Sequence, residues 1–124
     1  MMAKQVYGAA LALAMAGLMA VPANVVWAAD GVRMVYGPGM LTCAGWRQHR
    51  STGNKAATLQ LQAWIDGFLS GYNTASEGTD FLAPQPTKDA YYAWIDNYCS
   101  QNPLNKVVQA AAALKNELTA RARR

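Results

Sequence analysis

Between Lys55 and Tyr72 the large apolar residues Leu61, Trp64, Ile65, Phe68, Leu69 and Tyr72 fall at offsets 0, 3, 4, 7, 8 and 11. That spacing draws one continuous stripe along a helix, whereas a half-buried strand would alternate. A helix with such a stripe is stable only when other elements cover it. Gly67 and Gly71 lie four apart in the same run. They leave low places where another backbone could approach, each at about 1 kcal/mol of helix propensity.

The remainder of the chain supplies further helices and no convincing strand. Thr42 is placed to cap a short helix carrying Cys43 and Trp46, which should stop at the turn-forming cluster Ser51-Thr52-Gly53-Asn54. Asn73 to Pro86 is a loop, with Phe81 and Leu82 as the apolar residues able to pin it to a core. Thr87 caps a helix over Lys88 to Gln101 with Asp89 in its first turn and Tyr91, Trp94, Ile95, Tyr98 and Cys99 on one face. Asn102-Pro103 should break that helix and start a last one from Pro103 to Arg121, because Asn caps well and Pro suits the first helical position. Its stripe is Leu104, Val107, Val108, Ala111, Leu114 and Leu118. The expected fold is all-α, a small four-helix domain.

The N-terminus stands apart. After Lys4, the stretch from Gly8 to Val21 is uncharged and rich in Ala, Leu and Met. It is shorter than the roughly 20 residues that cross a bilayer, which is the pattern of a signal-peptide core and not of a stable membrane anchor. Val26 and Ala28 are the small-residue pair before a cut after Ala28. Residues 1–28 are thus expected to be a signal peptide, 29–41 a flexible lead-in rich in Gly and Pro, 42–121 the helical domain and 122–124 a basic tail. The 96 residues from 29 to 124 carry ten Lys and Arg against seven Asp and Glu, a net charge of +3. A chain of that size supports one core and buries only about 60 to 65 per cent of its unfolded surface, so its stability margin is small.

Two cysteines, Cys43 and Cys99, are an even count in a short exported chain and predict a structural disulfide. Closing so long a loop removes denatured-state entropy worth roughly 4 kcal/mol on the chain-entropy model. No Cys-x-x-Cys supports redox catalysis. His49 is the sole histidine, so neither a metal nor another cofactor is implied.

Residues 63–66 and 93–96 both read Ala-Trp-Ile-Asp. An acid-base pair of Asp66 and Asp96 would need both carboxylates in one cleft. In each copy Trp and Ile lie on the apolar stripe and Asp follows Ile by about 100 degrees, at the stripe's edge. The repeat therefore predicts two helices with the same packing solution, not an enzyme. Ser70, His49 and Asp66 carry no local hydrolase signature. Arg47, His49, Arg50 and Lys55 form a small basic patch beside Trp46, but no reader motif for nucleic acid accompanies it. The abundance of aromatic residues points instead to a protein-binding face, for which Trp64, Phe68, Leu69, Trp94 and Ile95 are the candidate client or dimer residues.

The cysteine neighbourhoods carry a resemblance. Met40-Leu41-Thr42-Cys43 and Tyr98-Cys99-Ser100-Gln101-Asn102-Pro103 resemble the two half-motifs of the HdeA/HdeB acid-stress chaperone family, Met-Thr-Cys and Tyr-Cys-x-x-Asn-Pro. The resemblance spans Met40 to Leu118 and implies a periplasmic holdase, dimeric at neutral pH, that loosens in acid and shields unfolded periplasmic proteins. Only Cys43 and Cys99 are carried over by position. The span between them is longer here, and AWIDGFLSGYN falls outside the motif. The GFLSGYN stretch and the helix start after Cys99 are more loosely similar to Tai-type periplasmic immunity proteins, which would imply a module capping one specific protein partner. Those proteins carry more cysteines.

Overall fold

The computed structural model describes residues 34–83 and 87–124; the expected signal peptide and the first residues of the lead-in lie outside that range. Four helices make the fold: α1 over Cys43–Ser51, α2 over Lys55–Ala75, α3 over Lys88–Gln101 and α4 over Val107–Ala122. A short 3-10 turn, Gly37–Met40, precedes them. There is no strand among the described residues; one isolated antiparallel bridge joins Thr42 and Lys106. The domain is all-α with a single disulfide, as the periodicity and the cysteine count predict.

The helix starts follow from side chains that take up the free N–H groups of a first turn. The Thr42 hydroxyl accepts from the Gly45 N–H at 3.1 Å, Asn54 Oδ1 from Ala57 at 3.1 Å and the Thr87 hydroxyl from Ala90 at 3.4 Å. Before α4, Gln109 Oε1 accepts the Lys106 N–H at 2.7 Å.

The core gathers Trp46 from α1, Leu61, Ile65 and Leu69 from α2, Tyr91, Ile95 and Cys99 from α3, and Val107, Leu114 and Leu118 from α4. Each large apolar side chain so buried contributes about 1.5–3 kcal/mol. The three from α2 together outweigh the roughly 1 kcal/mol that each of Gly67 and Gly71 removes. Packing, not propensity, holds α2 in place. α1 and α4 each pack against both α2 and α3. Phe81 is buried and Leu82 packs on the core, so the loop after α2 is pinned at the two expected residues.

Three expectations need correction. The lead-in is not loose over 37–41: Gly39 is buried beneath the Trp64 ring, where a Cβ would stand 2.2 Å from Cζ2, and Gly37 takes φ +80° to let the turn reach it. The last helix starts at Val107, not Pro103, and Leu104 is 88% exposed. The reason lies in α1, whose first two N–H groups need acceptors. Cys43 donates to the Asn105 carbonyl at 2.7 Å and Ala44 to that of Pro103 at 3.0 Å, which draws residues 103–106 out of helical geometry. Asn102 accordingly ends α3, with both its backbone and side-chain nitrogens on the Tyr98 carbonyl. At the C-terminus α4 continues through Ala122, one residue into the expected tail.

Candidate functional site

Cys43, the first residue of α1, is bonded to Cys99 near the end of α3; their Cα atoms are 4.7 Å apart and both side chains are fully buried. The bond sits where the chain also closes on itself through the backbone. Besides the Cys43 and Ala44 bonds, Val107 donates to the Leu41 carbonyl at 2.8 Å. Asn105 Nδ2 donates to the Tyr98 hydroxyl at 2.8 Å. One end of α1, one end of α3 and the start of α4 are thereby fixed together.

The repeated Ala-Trp-Ile-Asp does more than repeat a packing pattern. Asp96 Oδ1 accepts the indole N–H of Trp46 at 2.7 Å, and Asp96 Oδ2 accepts Arg50 Nη2 at 2.6 Å. Asp66 Oδ1 accepts the Tyr92 hydroxyl at 2.9 Å, and Asp66 Oδ2 accepts Lys88 Nζ at 2.9 Å. Each carboxylate gives one oxygen to an aromatic donor and the other to a cation, both on a neighbouring helix. The donors stand four residues apart in each case, the spacing that puts two side chains on one helix face. On α1 the aromatic residue comes first and on α3 the cation does. Arg50 also stacks over Trp46, 5.3 Å from the ring centroid.

Asp66 and Asp96 therefore do not share a site: one faces α3 and the other α1. Burial, followed by the hydrogen bond to Asp66 and the charges of Asp66 and Asp89, pushes the Tyr92 hydroxyl up to about 12. On the loop after α2, Asp80 Oδ1 accepts Asn73 Nδ2, Leu82 N and Ala83 N at 2.8, 3.0 and 3.1 Å. The Asn73 side chain and then the Leu82 N–H hold this carboxyl below its ordinary value of 3.8. Its contribution to stability is full above that value and is lost as pH falls through the lowered one. Burial, and secondarily the charge of Asp80, raises Tyr91.

The five residues expected to form a client or dimer face separate into two groups. Leu69 and Ile95 are 2% and 0% exposed and belong to the core of the single chain, because each lies at the centre of its helix's stripe. Trp64, Phe68 and Trp94 are half-buried at the core's edge. Trp64 donates its N–H to the Tyr36 carbonyl at 3.0 Å and stacks on Phe68, with ring centroids 5.3 Å apart. Trp94 stacks on Tyr98 at 5.7 Å.

Concavities outside the core, among the described residues, include the following pair. An open groove of about 650 Å³ runs along α1, lined by Arg47, Gln48, Arg50, Ser51 and Asp96. A narrow cleft of about 40 Å³ lies between α3 and α4 beside Tyr91 and Trp94. Neither brings a nucleophile to a general base. Among the described residues no three His, Cys, Asp or Glu side chains gather as metal ligands, and no helix is long and apolar enough to cross a membrane. His49 is half-buried on α1. The outward face of α2 is uncharged: Ala63, Gly67, Ser70, Gly71 and Thr74 are exposed, and Asp66 is the one charge between Lys55 and Glu77. Comparison with family models, curated proteins and solved structures finds no match to this chain.

Proposed function

We propose that this protein is an exported holdase of the HdeA/HdeB kind, which loosens in strong acid and shields unfolding proteins. The observation that supports it most is the chemistry of its connections. Among the described residues both ion-paired ties between helices end on aspartates, Asp66 and Asp96, and the loop after α2 is organised on Asp80. The covalent tie, Cys43–Cys99, is indifferent to acid. Protonating the carboxylates removes the first set, and Lys and Arg stay charged, so the chain repels itself. The disulfide then limits the expansion. Half-buried Trp64, Phe68 and Trp94 are the first apolar groups such loosening would uncover.

A second reading, a module capping one specific protein partner, is favoured by the uncharged outer face of α2, which is accessible without any opening. Near-UV circular dichroism and suppression of client aggregation, followed together from pH 7 to pH 2 on the oxidised protein, separate the two. The holdase loses tertiary signal and gains client protection over the same pH interval. A protein that stays packed at pH 2, or opens and protects nothing, is not a holdase of this kind.

A further inference from the structure

The helices are not held by connections of one kind. α1, α3 and the start of α4 share the disulfide and the backbone hydrogen bonds of Cys43, Ala44 and Val107. α2 makes no backbone hydrogen bond to another helix among the described residues. Its polar ties to other elements run through side chains: Asp66 to Lys88 and Tyr92, Thr58 Oγ1 to the His49 carbonyl at 3.4 Å, Trp64 to the Tyr36 carbonyl, and Lys115 of α4 over the Tyr72 ring. Both flanks carry a glycine at positive φ, Gly53 at +67° and Gly78 at +98°. Among the described residues α2 is thus the one helix of the four held by packing and side-chain bonds without a disulfide or backbone tie to the rest, and a segment can open locally without the whole domain unfolding.

We propose that α2 is released as a unit while α1, α3 and α4 stay joined, and that the surface it uncovers is where an unfolding protein docks. This rests on the holdase reading. The occupant is defined by what the surface now holds. Leu61, Ile65 and Leu69 insert at i, i+4 and i+8, flanked by Trp64 and Phe68, from a helix whose one mid-helix charge is Asp66. A client segment able to form an amphipathic helix with large apolar side chains at those intervals replaces α2, in the manner of a helix laid in a groove. Because the disulfide joins α1 to α3 without involving α2, the groove keeps its walls when α2 leaves.

Amide hydrogen exchange at pH 7 on the oxidised protein tests the release, with Asp66→Asn and Tyr92→Phe as two independent ways of weakening the same tie. Residues 55–75 should exchange on the order of tenfold faster in both variants, while 88–101 and 107–122 keep their wild-type rates. A synthetic peptide of residues 55–75 carrying a fluorophore should bind the Asp66→Asn protein more tightly than the wild type. Exchange that rises in all four helices together overturns the proposal, as does a peptide that gains no affinity. A dimer formed by Asp66→Asn without peptide also overturns it, since the groove then takes a second copy's α2. These outcomes are distinct from failure of client protection in acid, which removes the holdase reading and leaves the release of α2 standing.

Discussion

Asp96 and Asp66 make the same two bonds in unequal surroundings. Asp96 lies three residues before Cys99 and holds Trp46, a ring with no exposed surface. Behind it stand a disulfide and a cluster of backbone hydrogen bonds. Asp66 sits midway along α2, and its cation, Lys88, has a side chain 69% exposed. What a bond contributes depends on what is already fixed behind it. The Asp96 tie completes a junction that is otherwise closed, and the Asp66 tie is the main polar link between α2 and α3.

The largest test removes the backing from the Asp96 side. Reducing the Cys43–Cys99 bond should lower stability by about 2–5 kcal/mol in denaturant titration. If reduction leaves the midpoint unchanged, the junction is held by its hydrogen bonds alone and the contrast fails. Next comes Asp96→Ala, which strands a fully buried indole N–H and should cost about 2 kcal/mol. Asp66→Ala should cost about 1 kcal/mol, because an exposed lysine pair adds little and the main loss is the Tyr92 bond. Equal losses in the two variants would break the comparison.

A smaller effect of opposite sign is expected in α2 itself. A Cβ at Gly67 or Gly71 meets nothing within 4 Å, so either residue replaced by Ala should raise the thermal midpoint, by about 0.5–1 kcal/mol of stability. Destabilisation would reveal that this face is already covered in solution. The last effect is confined to alkaline pH. Folding keeps Tyr92 protonated up to about 12, so its contribution is complete below its ordinary value of 10.0 and is lost as pH rises toward 12. Tyr92→Phe should flatten that part of the stability profile, and an unchanged profile would separate the hydroxyl from Asp66.

Helix positions, the caps at Thr42 and Thr87 and the cysteine pairing were legible in the sequence because each is set by residues near in the chain or by simple counting. Asp66 and Asp96 were legible as stripe-edge residues, but their partners were not. A carboxylate at an edge faces whichever helix packs there, and that is a tertiary fact. The signal available was the repeat itself, taken with Trp46/Arg50 and Lys88/Tyr92, two aromatic–cation pairs at one-turn spacing. Asn102-Pro103 misled for a related reason: its local preference for starting a helix lost to the demand of α1 for acceptors. Periodicity shows which face is apolar, not whether the chain's own helices cover it, so it does not separate the buried Leu69 and Ile95 from a docking surface.

The disulfide also makes the shortest helix depend on a distant part of the chain. Nine residues are too few for α1 to persist as an isolated helix, which needs about 12–15 even in favourable sequences. Its buried residues, Cys43 and Trp46, find their partners 56 and 50 positions further on, in Cys99 and Asp96. The first of the four described helices therefore depends for its stability on partners that α3 supplies.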